Sequence, residues 1–339
     1  MRKHIAVLGT GTWGTALARV LAKNGHEVIA WSAIQQEAAD LSRMRLHPNL
    51  PGMVIPDSIR FTTDMAEACA DKDILLFAVP SVYLRATAAK ARPYTAENQT
   101  IVDVAKGIEP DTLLTMTGVI QDEMQKDGRH RGIRLAALSG PTHAEEVALD
   151  MPTSIIAACR EREVADLVQD VFMNTCLRPY TNTDILGVEL CGALKNIVAL
   201  ASGISAGLGY GDNSRAALIT RGMVEITRLG LAMGCVEQTF SGLAGVGDLI
   251  VTATSMHSRN NRCGQLIGRG MTPEQAVKEV GMVVEGINAL PAALQLAKRY
   301  QVEMPIVEAV DAIINHGANP ADVSLALMTR DRKTEDNRF

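Results

Sequence analysis

The stretch HIAVLGTGTWGTALARVLAKNGHEVIAW, residues 4–31, constrains the fold of this chain more than any other. It reads as a short apolar strand, the glycine triplet Gly9-x-Gly11-x-x-Gly14, an amphipathic helix closed by Gly25, and a second apolar strand. Each glycine meets a physical need. The first permits the tight turn out of the strand, the second lets the backbone come close to a pyrophosphate, and the third allows the helix to lie close on the sheet with its N-terminal amides aimed at the anion. Alone the triplet is only a glycine-rich turn; inside a full strand, turn, helix and strand it points to a dinucleotide-binding unit. The second strand runs into Ser32-Ala33, which is neither the acid that takes a ribose 2′-hydroxyl nor the arginine that takes a 2′-phosphate. With no repelling carboxylate expected there, room is left for a phosphate, and the cofactor stays open between NAD(H) and NADP(H).

The alternation continues along the first half of the chain. Short β-rich runs at 59–62, 73–79, 100–104, 134–138 and 153–158, with a last extended piece at 177–182, are separated by helical stretches such as 13–24, 33–46 and 112–126. That is the pattern of a mostly parallel sheet covered on both faces. From Asp184 onward strand runs cease and helical periodicity takes over, with start signals such as TPEQ at 272–275, a Thr cap followed by Pro at the first helical position. The expected fold class is therefore α/β: a Rossmann-type doubly wound sheet over 1–183, then an all-α domain over 184–339. A chain of 339 residues is long enough for two such cores.

Composition narrows the function classes. A net charge of −5 argues against a sequence-independent nucleic-acid binder, which needs a basic stripe to displace counterions. The apolar run after the N-terminal MRK ends at Leu8, too short for a signal peptide, and the most apolar windows carry Lys195 or repeated glycine, so no membrane insertion is expected. The six cysteines lack a C-x-x-C pair and the seven histidines are dispersed, so no metal is assigned and the thiols are expected reduced in a cytoplasm. Only the charged end TRDRKTEDNRF, 329–339, reads unlike a folded segment.

The second half holds an anomaly. In CGALKNIVALASG, 191–203, Lys195 is the one charged residue, and its helical neighbours Cys191, Gly192, Val198 and Ala199 are all small or apolar. A lone ammonium there is costly unless something negative meets it. Either it snorkels or pairs with a structural carboxylate, or it faces a cleft where burial lowers its pKa into a range useful for proton transfer. Asp248, in the apolar run GLAGVGDLIV, is suited to pair with a lysine or a substrate hydroxyl, or to start a helix. In SRNNR, 258–262, Arg259 and Asn260 offer planar donors suited to a phosphate, or form a solvated loop. Two further segments follow first-domain strands, where open α/β sheets bind ligands: DVAKGIEP with Lys106, and LSGPTHAEEV, in which His143 reads as a helix start or cofactor neighbour rather than a general base.

Taken together, GTGTWGTALA, AKGIEP, SGPTHAEEVA, GALKNIVALASGISAGLGYGDNSRAALITRGM, GLAGVGDL, SRNNRCG and VVEG closely resemble the bacterial NAD(P)-dependent glycerol-3-phosphate dehydrogenase family over nearly the whole chain. The resemblance implies reversible reduction of dihydroxyacetone phosphate to sn-glycerol 3-phosphate, supplying glycerophospholipid synthesis, in a cytoplasmic homodimer. It implies Lys195 as the proton donor and acceptor. Lys106, Gly140, Thr142, Lys195, Asp248, Ser258, Arg259 and Asn260 fall on the family's substrate-binding positions. Gly9, Gly11, Thr12, Trp13, Gly14, Lys106, Ala144, Arg259, Val283 and Glu285 fall on its cofactor positions. The chain departs from the family pattern at Ala105, where Thr or Ser is usual, at Ala206, where Asp is common, and at Asn261, where Arg is frequent.

Overall fold

The computed structural model describes residues 2–332, 334 and 335, so the charged terminus singled out above lies partly outside the described residues. The first half runs β1 (His4–Leu8), α1 (Thr12–Lys23), β2 (Glu27–Trp31), α2 (Gln35–Met44), β3 (Arg60–Thr62), α3 (Met65–Cys69), β4 (Ile74–Phe77) and α4 (Ser81–Ala91). It continues with β5 (Thr100–Asp103), α5 (Met116–Met124), β6 (Arg134–Ser139), α6 (Ala144–Ala148), β7 (Thr153–Ala158), α7 (Arg162–Phe172) and β8 (Leu177–Asn182).

The strands form one sheet in the order β3-β2-β1-β4-β5-β6-β7-β8, parallel throughout except where β6 meets β7. The order reverses between β1 and β4, and ligands of open α/β sheets bind in the crevice at the strand ends beside such a reversal. Successive residues of β1 face opposite layers: Ile5 and Val7 enter one apolar cluster with Leu17 and Leu21 of α1, while Ala6 and Leu8 enter the other with Leu84 of α4. Burial on both faces is why the central strands read as unbroken apolar runs.

From Ile185 the chain is helical: α8 (Ile185–Gly207), α9 (Asp212–Ala232), α10 (Glu237–Phe240), a π-helical turn over Leu243–Gly247, α11 (Asp248–Thr254), α12 (Arg259–Gly268), α13 (Pro273–Val280), α14 (Glu285–Tyr300), α15 (Pro305–Ile314) and α16 (Pro320–Met328). The start signal read at 272–275 forms a reciprocal cap, with Thr272 and Gln275 each accepting a backbone N–H of the other. Apolar on every side, α8 is the axis of this half; by length and composition it matches a membrane span, but 83% of its most apolar window is buried inside the protein.

Two pairs of glycines let α12 cross α8 at backbone contact. A Cβ on Gly203 would lie 2.1 Å from the Asn261 carbonyl oxygen, and one on Gly207 2.4 Å from that of Gln265. From the other helix, Gly264 and Gly268 would each meet an α8 carbonyl oxygen at 2.2 Å, those of Leu200 and Ile204. Besides the large core of each half, a small apolar cluster joins the two: Ala137, Ile156 and Ala158 of the sheet pack on Ile185, Val188 and Ala244 of the helical part.

Candidate active site

The glycine loop has the form of an anion cradle. Gly9 has φ +123°, and a Cβ there would lie 2.5 Å from the Ala78 carbonyl oxygen; on Gly14 it would lie 2.1 Å from that of Gly9. At Gly11 a Cβ would meet nothing within 4 Å, so the space above the first turn of α1 is open. No side chain caps that turn, and Thr12 and Trp13 stand on it half-buried. These features fit the pyrophosphate of a dinucleotide, whose oxygens accept from orphan amides at a helix start.

At the end of β2 the structure corrects the expectation that no carboxylate is near. Glu37, from the first turn of α2, reaches back to it: Ser32 Oγ and Thr10 Oγ1 both donate to Glu37 Oε2, the latter at 2.6 Å. The chain enters α2 at Gln35 rather than at 33 because Ser32 Oγ also accepts the Ile34 N–H at 3.1 Å, which holds the first residues after β2 out of the helix.

The ammonium of Lys195 meets a carboxylate. Lys195 and Asp248 are 4% and 1% exposed, and Lys195 Nζ donates to Asp248 Oδ1 and to Thr252 Oγ1. Thr252 in turn donates to the Asp248 carbonyl at 2.7 Å. Lys106, arriving from the end of β5, donates to the other carboxylate oxygen, Asp248 Oδ2, at 2.6 Å, and to the Gly140 carbonyl at 3.1 Å. Its stem passes over α8 at Gly192, where a Cβ would lie 3.3 Å from Lys106 Cγ. Burial pushes the Lys195 ammonium down to about 7; the Asp248 carboxylate opposes this and the Lys106 charge adds to it. One carboxylate thus faces two ammonium groups, and the cluster carries an uncompensated positive charge.

The segment after α11 is a helix start rather than a solvated loop. Ser258 caps α12 by accepting the Asn261 N–H at 3.2 Å. The Asn260 amide ties three helices together, donating to Asn196 Oδ1 at 3.0 Å and accepting the Gly286 N–H at 2.8 Å. Half-buried Arg259, at the first position of α12, has no hydrogen bond or ion pair from its guanidinium among the described residues. Across the cleft Gly140, with φ +156°, turns the chain out of β6, and its carbonyl also accepts from Thr142 Oγ1 at 3.1 Å. His143 precedes α6 and Ala144 opens it. The imidazole is pushed below its ordinary value by burial and by the Lys195 charge, and its Nε2 has no partner. Half-buried Val283 lies in the connection before α14, and Glu285, the first residue of that helix, accepts from Ser81 N at 3.1 Å and from Ser81 Oγ at 2.5 Å.

Thr252, Ser81 and Glu37 join the site only through folding and do not stand out in the sequence. Thr252 was marked only by its position one helical turn after Asp248; Ser81 and Glu37 carry no local signal, since their partners lie 204 residues away and across a turn. Among the described residues no group of three or more His, Cys, Asp or Glu is arranged to hold a metal ion.

Residues 4–165 match the family model of the NAD-dependent glycerol-3-phosphate dehydrogenase N-terminus, and residues 184–324 match that of its C-terminus. The chain is 65% identical to glycerol-3-phosphate dehydrogenase (NAD(P)+) 2 of Lactobacillus delbrueckii subsp. bulgaricus, covering 98% of each chain. It is 48% identical to glycerol-3-phosphate dehydrogenase (NAD(P)+) of Bacillus subtilis, over 98% of this chain and 96% of that one. Among solved structures, glycerol-3-phosphate dehydrogenase from Coxiella burnetii superposes with a TM-score of 0.90 at 32% identity, over 97% of this chain and 99% of that one.

Proposed function

The chain belongs to the NAD-dependent glycerol-3-phosphate dehydrogenase family, and on that basis we propose that it reduces dihydroxyacetone phosphate to sn-glycerol 3-phosphate, reversibly, using NAD(H) or NADP(H). The observation that carries the mechanism is the buried Asp248 carboxylate shared by Lys195 and Lys106. A site with one ammonium more than its carboxylate neutralises, and with the unpartnered Arg259 guanidinium nearby, suits a dianionic phosphate ester.

In this reading the open glycine loop, Thr12, Trp13, Ala144, Val283 and Glu285 hold the dinucleotide, whose reduced nicotinamide supplies the hydride when bound. Arg259, with Ser258 and Asn260 behind it at the start of α12, takes the substrate phosphate. Lys106, Gly140 and Thr142 line the side facing the sheet and orient the carbonyl. Lys195, held by Asp248 and Thr252, gives its proton to the carbonyl oxygen as the carbon is reduced and is left as a neutral amine, which solvent reloads. A pKa of about 7 makes both forms accessible, so the same group accepts the proton in the oxidation direction. The proposal includes a division of labour at residues 183 and 184 between a dinucleotide-binding and a helical catalytic domain, and a cytoplasmic homodimer whose product feeds glycerophospholipid synthesis.

The test is an assay of the purified protein with dihydroxyacetone phosphate and, in parallel, NADH or NADPH, followed by loss of the reduced-nicotinamide absorbance. No substrate-dependent loss with either coenzyme overturns the activity. Lys195→Ala is expected to lower turnover by about a thousandfold or more while cofactor binding holds within a few-fold; retained turnover would remove the lysine from the mechanism.

A further inference from the structure

We infer that Glu37 selects the coenzyme, and that this chain works with NADH in preference to NADPH because the Glu37 carboxylate accepts the adenosine ribose 2′-hydroxyl and repels a 2′-phosphate. The inference rests on the dinucleotide reading above and narrows it.

In a Rossmann unit the acidic side chain that meets the ribose lies where the end of the second strand faces the glycine loop. Here that position is filled from elsewhere. Ser32 follows β2, Thr10 stands between the first two glycines, both are 2% exposed, and both hydroxyls converge on Glu37 Oε2. The carboxylate is therefore fixed between loop and strand end by two independent donors, although it arises from α2. Its other oxygen, Oε1, accepts no hydrogen bond among the described residues, and the side chain is only half-buried, so one acceptor is left for a hydroxyl donor.

A 2′-phosphate would meet this carboxylate with no cation to offset it. Ser32, Ala33, Ile34, Gln35 and Gln36 carry no positive charge. His47, beside Thr10 and Glu37, is buried, and that burial holds its imidazole below its ordinary value and so disfavours its cationic form. Arg43 is engaged with Asp40, and Arg45 donates to the Ile59 carbonyl at 2.7 Å and lies 3.5 Å from Asp57. NADPH would lose a charge-assisted hydrogen bond and gain a repulsion, while NADH would gain the bond. A single charged hydrogen bond is enough for about a 10- to 100-fold difference in affinity.

The experiment is calorimetric titration of the protein with NADH, NADPH, ADP-ribose and 2′-phospho-ADP-ribose; the last two lack the nicotinamide and so report binding with no hydride chemistry. NADH and ADP-ribose are expected to bind at least about tenfold more tightly than their 2′-phosphorylated counterparts, and Glu37→Gln is expected to bring both ratios close to one by weakening the first pair and strengthening the second. Equal or reversed affinities in the unaltered protein overturn the inference, whatever the folding of the variant, as does a Glu37→Gln protein that keeps the original ratios. The two readings fail separately: tight NADH binding without turnover of dihydroxyacetone phosphate overturns the activity alone, whereas turnover with indifferent coenzyme binding overturns the role of Glu37 alone.

Discussion

Asp248 is the residue on which the site's charge turns, because it answers two lysines with one carboxylate. The arrangement fixes a pH dependence whose sign follows from Lys195. Reduction needs the ammonium, so kcat/KM for dihydroxyacetone phosphate should fall as pH rises through about 7, while kcat/KM for glycerol 3-phosphate oxidation, which needs the neutral amine, should rise over the same interval; profiles measured in both directions check this, and parallel profiles would contradict it. Arg259 makes a second prediction. With no hydrogen bond or ion pair to its guanidinium among the described residues, its replacement by Ala leaves no buried acid there uncompensated, so Arg259→Ala should keep its melting temperature yet raise KM for dihydroxyacetone phosphate about tenfold or more in steady-state assays. How far residues were legible divides along the same line. Lys195 stood out because a lone charge in an apolar helix demands an explanation; Thr252 and Glu37 did not, because a threonine in a helix and a glutamate in a first turn are ordinary until packing supplies their partners.

Among the elements, α8 and α12 matter most, since one carries Lys195 and the other Arg259. Their glycine seam leaves no space for a side chain on either helix. Gly203→Ala should therefore force the helices apart, costing about 1–3 kcal/mol in denaturant melts and lowering turnover beyond what the stability loss explains; a neutral effect on both would show that the seam yields. The strands were the most legible elements. Runs at 4–8, 27–31 and 153–158 coincide with β1, β2 and β7, because strands buried on both faces advertise themselves as unbroken apolar stretches, whereas β8 at 177–182 alternates buried and exposed residues at the sheet edge. The helix read over 112–126 starts only at Met116, since Ile108 and Thr115 pair in a short bridge and Leu113 takes φ +60° between them. Hydrophobic periodicity does not register such a short bridged turn.

At the scale of the whole molecule, sheet and helices are held together by the apolar cluster around Ile156 and Val188, by Ser81 on Glu285, and by Lys106 on Asp248. Calorimetry should accordingly show one unfolding transition for both halves, moved upward as a unit by bound dinucleotide; two resolved transitions would mean that these links are weaker than the cores they join. The change of character near residue 184 was plain in the sequence as a switch of hydrophobic period. The contacts across it were not, for each pairs residues that are close only after folding. The Lys106 link has a consequence for ancestry. Its acid comes from one half and its base from the other, so a chimera spliced from two relatives near residue 184 inherits a working centre only when both parents carry the matching member. The ion pair thus makes exchange of halves directional: a parent that lacks one member can contribute only the half that carries the other.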